Sequence, residues 1–482
     1  MTKVIFVQNL WFPFEAVGTL SAALKNAGHK VGLSIGEDEK VIREIKEFDP
    51  DIIAFSVITA NRKYMMDTAK LIRQNEIKAL IVVGGHDASF FPEIIQNPYI
   101  DIICRGEGDD VIVELADAID KKQDYSKILN LWVKKDGKII KNDIRPFKDV
   151  NERLFEDREI YRDYSSYFRD IEFGLVMVGR GCPYSCSYCF NHKYREMYAH
   201  VDKKYCALRD VDNVIKECVM IKEKYKIKNI FFNDSTLGYD KKWLREFLNK
   251  YKEKVDLPFT INSTVNEVDD EYCKLLADTK KCFIIRLGLE TGNEKFRMTT
   301  LNKKLTNEQY IKATDLFKKY NLKYSMSIML GLPGETLENA FETLDFAAKI
   351  SSKNSVVAVN IFKPFPRLSI TEYGVKIGQY DKTLIQDSSM IGDTTMNFYD
   401  CFRRDKDGKK IILLSRWSQI YINFPLMREF IKNVIINTPD NVAYRILWRL
   451  SDGYFTNRHH VNASWGYLLK YIFKHRMKKV TV

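Results

Sequence analysis

Residues 181–190 read GCPYSCSYCF and place Cys182, Cys186 and Cys189 in a Cys-x3-Cys-x2-Cys spacing. Thiols at this density are ligands for soft metals or iron–sulfur clusters. They number three. A structural zinc site closes its tetrahedron with four ligands, and no second CxxC or Cys/His pair follows at finger-like spacing. A half zinc site of Cys186 and Cys189 with Cys206 or His192 leaves Cys182 unexplained. Gly179 and Gly181 flank the motif, where glycine lets the backbone wrap a cluster and aim amides at its sulfurs. The other six of the nine cysteines are scattered. An odd count with one close group is no disulfide framework and suits a reducing compartment. The isolated cysteines read as small core residues.

The elements that must position this motif come from hydrophobic periodicity. In the first 120 residues short apolar runs (KVIFVQ, KVGLSI, DIIAFSV, ALIVVGG, DIICRG) alternate with amphipathic runs such as EAVGTLSAALKNAG and RKYMMDTAKLIRQ. That pattern predicts a doubly wound parallel sheet with its ligand loops at the carboxyl ends of the strands. LWVKKDGKII, residues 131–140, reads as a hairpin turning at Asp136-Gly137, followed by a polar linker to about 170. From 172 the alternation restarts: FGLVMV, NIFFND, PFTINS, CFIIRLGLE, KYSMSIML and SVVAVNIF are six strands separated by helices. Six βα units predict a curved parallel sheet or partial barrel, the cysteines following its first strand. The expected organisation is 1–130, an N-terminal Rossmann-like domain; 131–171, hairpin and linker; 172–365, a (β/α)6 partial barrel; and 366–482, a mostly helical end.

The chain has 482 residues, 45% hydrophobic and 13% aromatic, a globular composition. No window approaches the roughly 18 uninterrupted apolar residues of a membrane span, and the N-terminus lacks a signal-peptide pattern. A cytoplasmic protein is expected. The net charge of +12 is spread out without Arg/aromatic interleaving, so it reads as a solvated lysine-rich surface compatible with an anionic substrate, and no nucleic-acid partner is expected.

The Cys-x3-Cys-x-aromatic-Cys loop after the first strand of a six-unit βα domain resembles the radical S-adenosylmethionine (SAM) superfamily. The resemblance implies that Cys182, Cys186 and Cys189 hold three irons of a 4Fe-4S cluster. The fourth iron stays open for SAM, whose one-electron reduction releases a 5'-deoxyadenosyl radical. An open position is what separates catalytic from structural metal sites. Further matches cover about 172–365. Tyr188 corresponds to the aromatic near the adenine. Asn233 and Asp234 end the second strand where the family contacts the SAM amino group, although many relatives carry Gly-Gly-Glu there. Ser263 in INSTVN and Glu290 in RLGLETG fall at positions of polar SAM contacts. Gly331, Leu332 and Pro333 resemble a backbone contact to adenine.

A doubly wound domain ahead of such a barrel resembles the cobalamin-binding class of the superfamily. Ser56 and Thr59 in SVIT, Gly84 and Gly85 in VVGGH, and Glu107 and Gly108 in RGEGD correspond to that class's binding loops; small residues there let a corrin and its tail lie against backbone. The Asp-x-His-x-x-Gly of cobalamin mutases is missing from QNLWFPFEAVG, so cobalt is expected without a protein imidazole below it. His29 reads as an ordinary histidine. Asn61, Arg62 and Tyr64 are candidates for its lower face; His86 is either a tail contact or an exposed loop residue. The implied activity is cobalamin-dependent radical SAM methylation of an unactivated carbon in a small molecule or peptide, with a donor such as flavodoxin or ferredoxin. The alternative is a cobalamin-dependent cyclase or ring-rearranging enzyme. A tRNA methylthiotransferase is disfavoured, since the N-terminal domain has only Cys104 where three cysteines are needed.

Overall fold

The computed structural model describes residues 1–9, 12–164, 173–201, 205–381, 405–452 and 454–455. Two parallel sheets dominate it. The first contains β1 (Lys3–Gln8), β2 (Lys30–Ile35), β3 (Ile52–Ser56), β4 (Leu80–Gly84), β5 (Ile102–Cys104) and the hairpin β6 (Leu131–Lys135) and β7 (Lys138–Lys141). The order is β2-β1-β3-β4-β5-β6-β7, the first five strands parallel. Helices cover both faces, so β1 is buried at nearly every position rather than at alternate ones. The order reverses at β1, and such switch points open ligand crevices at the strands' carboxyl ends.

The hairpin turns at Asp136-Gly137, both at positive φ (51° and 72°), the backbone a tight hairpin requires. Its strands extend the first sheet. β6 pairs antiparallel with β5, and Leu131 and Val133 are fully buried. Alternating apolar residues on β6 need a core face, and β5 offers the free edge.

The second sheet contains β8 (Phe173–Val176), β11 (Asn229–Phe232), β12 (Phe259–Ser263), β13 (Cys282–Glu290), β14 (Tyr324–Leu330) and β15 (Ser355–Ile361), ordered β15-β14-β13-β12-β11-β8 and all parallel. Its helices start at polar caps: Asp240, Asp269, Thr306 and Thr336 each accept an amide from the first turn. Between β8 and β11 a small bridge of β9 (Gly179–Arg180) and β10 (Ala207–Leu208) frames the cysteine loop.

Beyond the barrel the described residues are helical, as expected. Helix Lys406–Asn423 shares the barrel's apolar core through Ile411, Leu414 and Tyr421. Its Gln419 donates to the Val357 carbonyl of the edge strand β15 (2.8 Å). This helix is therefore continuous with the barrel.

Candidate functional site

The cysteine loop is anchored at its base by Asp234, which follows β11. Its carboxylate accepts the amides of Val178 and Gly179, each at 2.8 Å. Burial pushes its pKa up to about 7 against the pull of those two amides. Gly179 and Gly181 are explained by the β9–β10 bridge: a side chain at either would overlap a backbone carbonyl, of Ala207 or of Tyr205. The sequence suggested amides aimed at a cluster; close backbone passage is what requires these glycines. Arg195, two turns past the motif, donates to the carbonyls of Cys182 (3.1 Å) and Pro183 (2.6 Å). Ser187 donates to Thr300 O (2.7 Å) and Asn302 donates to Ser185 O (2.8 Å). The loop is thus held from three sides.

Cys182, Cys186 and Cys189 are half-buried free thiols. Burial pushes Cys182 up to about 12 and raises Cys186 and Cys189; neighbouring thiols add to it at Cys182 and Cys189, and Glu290 adds to it at Cys186. Without a metal they are neutral, and metal binding would release their protons. Among the described residues no three His, Cys, Asp or Glu side chains converge on a single-ion site.

The positions expected from the sequence to contact SAM sort into two groups. Tyr188 and Glu290 come together: the Tyr188 hydroxyl donates to Glu290 Oε1 at 3.0 Å. Gly331 (φ 81°) and the buried Leu332 lie beside them, Leu332 in the apolar cluster that Tyr188 packs against. The amides of Gly331 and Leu332 donate to Glu335 (2.6 and 3.2 Å), which fixes the shape of this turn. The second group is structural in this conformation. Asp234 holds the loop base, Asn233 donates to Glu15 (3.3 Å), and Ser263 donates to Glu267 (3.2 Å). Glu267 also accepts from Thr236 (2.6 Å) and from Tyr184 inside the cysteine loop (3.1 Å).

A cavity of about 450 Å³ opens at the carboxyl ends of β1, β3, β4 and β5. Ser56, Gly84, Gly85, Glu107 and Gly108 line it, and Arg180, Gly181, Asn191 and Tyr194 close it from the barrel side. Gly84 leaves a bare wall: a Cβ there would meet nothing nearer than Cys104 at 3.8 Å. Gly85 has a different reason. Its φ is 95°, and a Cβ would lie 2.6 Å from the Val57 carbonyl oxygen. Glu107 pairs with Arg153 at 3.0 Å; burial opposes its charge, but Arg153 and Arg180 hold its pKa below the usual carboxylate value.

Thr59 and Asn61 are not among the cavity-lining residues. Asn61 Oδ1 accepts the Ile58 amide at 2.9 Å, and Thr59 bonds Asp87. Arg62 forms a buried two-point pair with Asp87 (2.5 and 2.6 Å), and Tyr64 donates to Gly36 O (2.8 Å). The segment after β3 thus braces its own turn. His29 bonds Asp117 (3.1 Å) in the buried shell, the ordinary role expected. His86 is exposed and opens onto the cavity, with its ring 5.2 Å from that of Tyr194.

Lys303, Arg195 and Glu267 were not singled out in the sequence. Lys303 stands in LNKKLT beside Lys304, and nothing in the pair distinguishes the buried lysine from the exposed one.

Comparison with known families agrees with this arrangement. Residues 176–347 match the Radical SAM superfamily and residues 7–116 match the B12 binding domain. The chain belongs to the cobalamin-binding radical SAM family and is an enzyme whose cofactors are a 4Fe-4S cluster, SAM and cobalamin. It is 28% identical over 345 residues to an uncharacterized methyltransferase of Pyrococcus horikoshii, covering 70% of this chain and 72% of that protein. It is 25% identical over 355 residues to the anaerobic magnesium-protoporphyrin IX monomethyl ester cyclase of Rubrivivax gelatinosus, covering 71% of this chain and 62% of the cyclase. The fold is similar to that of OxsB, a cobalamin-dependent S-adenosylmethionine radical enzyme solved with aqua-cobalamin and S-adenosylmethionine bound: TM-score 0.62, 18% identity, 99% of this chain and 71% of that one. Among the described residues no helix is long and apolar enough to cross a membrane.

Proposed function

We propose that this enzyme methylates an unactivated carbon of a small molecule or peptide, with SAM as the methyl source and cobalamin as the carrier. Bound together, the three cofactors supply one-electron cleavage of SAM and a methyl group carried on cobalt. The observation that carries this reading is the single cavity that runs from the first sheet's strand ends to Arg180, Gly181 and Asn191 on the cysteine loop and the helix after it. A group held there by the first domain would lie close to the cysteine loop.

Cys182, Cys186 and Cys189 are assigned as cluster ligands. Tyr188, Glu290, Gly331 and Leu332 form the wall for SAM; Asn233, Asp234 and Ser263 support it by fixing the loop. Ser56, Gly84, Gly85, Glu107 and Gly108 receive cobalamin, the bare wall at Gly84 leaving room for its tail, while Thr59 and Asn61 shape the turn behind it. A site that holds two reacting groups in line and excludes water removes most of the entropic cost of bringing them together. The domain limits follow the two sheets, with the hairpin assigned to the first. The electron donor is a small redox protein such as flavodoxin or ferredoxin. Eight free cysteines among the described residues and an oxygen-sensitive centre favour the cytoplasm.

The test is anaerobic incubation of reconstituted enzyme with a reductant, deuteromethyl SAM and a metabolite extract. S-adenosylhomocysteine and 5'-deoxyadenosine should form together, with a product heavier by one labelled methyl. 5'-Deoxyadenosine with no labelled product would contradict methyl transfer and favour the cyclase-type reading that similarity to the Rubrivivax cyclase raises.

A further inference from the structure

Lys303 is a buried ammonium set beside the cysteine loop, its side chain 10% exposed. It donates to the Gly288 carbonyl, to Glu290 Oε1 at 3.1 Å and to the Tyr188 hydroxyl at 3.4 Å. Tyr188 in turn bonds Glu290 and reaches the Cys186 sulfur. A chain of contacts therefore runs from ammonium to carboxylate to phenol to a cluster thiol.

The local backbone is shaped to keep this group together. The pairing of β13 with β14 slips between Gly288 and Glu290. Glu290 sits at φ 67°, a left-handed conformation that a non-glycine residue holds only when its surroundings enforce it. Gly288 supplies the space, since a Cβ there would fall 2.8 Å from Lys303 Nζ and overlap Glu290 Oε1. Tyr310 closes the group by donating to Gly288 O at 2.7 Å. Arg297, the nearby guanidinium, is occupied with Leu305 O, Thr291 O and Asn307.

A carboxylate is a poor neighbour for a thiolate-bound cluster that must accept an electron. Like charges at short range in a desolvated site repel strongly, and cluster potentials follow net charge and hydrogen bonding at the sulfurs. We propose that Lys303 is the counter-charge that lets Glu290 sit beside the cluster, and that the two residues set its reduction potential with opposite signs. The proposal rests on the assignment of Cys182, Cys186 and Cys189 as ligands. It makes Lys303 a positioning and tuning residue.

The experiment uses full-length wild type, Lys303→Met, Lys303→Arg and Glu290→Gln. Each is reconstituted anaerobically without SAM, assayed for iron, and titrated electrochemically with the reduced cluster read by electron paramagnetic resonance. At a fixed poise the reduced-to-oxidised ratio should fall about tenfold in Lys303→Met, equivalent to ~59 mV for a one-electron couple. It should rise in Glu290→Gln and stay within about twofold in Lys303→Arg. A packing role alone has no reason to move the two neutral variants in opposite directions. Shifts of the same sign, or none, overturn the proposal and leave the cluster assignment standing. If Lys303→Met loses its cluster, Glu290→Gln alone decides: an upward shift supports the proposal, and an unchanged or lower potential overturns it. Wild type without four irons overturns the assignment and the proposal with it.

Discussion

Residue chemistry at this site is governed by burial. Glu156, lodged over Gly18 and 3.6 Å from Arg158, shows the effect most openly: burial pushes its pKa up to about 8, against the pull of Arg158. A carboxyl with a raised folded pKa keeps a proton that the unfolded chain has released, so folding loses stability as pH rises from the ordinary value of 4.5 to about 8. Glu156→Gln should therefore gain on wild type by roughly 1 kcal/mol per pH unit across that window. Thermal unfolding at pH 5 and pH 8 checks this; a difference that does not change with pH contradicts it. At this scale the sequence was uneven. The cysteines were legible because their spacing is chemistry in itself. Lys303 and Glu267 were not, because lysine and glutamate are ordinary surface residues and only tertiary burial makes them otherwise.

At the scale of elements, the strands and their succession along the chain were readable from apolar runs alternating with helical ones, and the loops at strand ends followed from them. Turn detail was less readable. SVITAN looked like one ligand-facing stretch, yet Ser56 and Ile58 line the cavity while Thr59 bonds Asp87 and Asn61 caps its own turn. Small polar residues serve both purposes, and the choice depends on Arg62 and Asp87 meeting across 25 positions. The glycines separate in the same way. Gly85 answers to backbone strain, whereas a Cβ at Gly84 would make only ordinary contact, with Cys104 at 3.8 Å. Gly84→Leu should thus leave the unfolding midpoint within about 2 °C of wild type, a small surface-type change. It should lower retention of added hydroxocobalamin at least tenfold, read from the optical spectrum after desalting. Full retention would show that the cavity is not where cobalamin lies.

The whole molecule brings two sheets together so that one domain's strand ends face the other's cysteine loop. Composition and periodicity gave both sheets separately; neither could give their contact. That contact is made by residues from unrelated stretches: Glu107 near Arg180, His86 against Tyr194, Phe90 stacked on Phe190 at 5.0 Å. The hairpin itself was legible from its Asp136-Gly137 turn, but not its pairing with β5, a strand well before it in the sequence. The arrangement explains how the crevice at the first sheet's strand ends reaches the cysteine loop, at Arg180, Gly181 and Asn191.

The most direct measurement is electron paramagnetic resonance of the anaerobically reconstituted, dithionite-reduced protein with and without SAM. The account predicts a 4Fe-4S signal whose shape changes when SAM is added, and its loss on replacing Cys182, Cys186 and Cys189 by alanine. Bound zinc, or an iron signal indifferent to SAM, would contradict it.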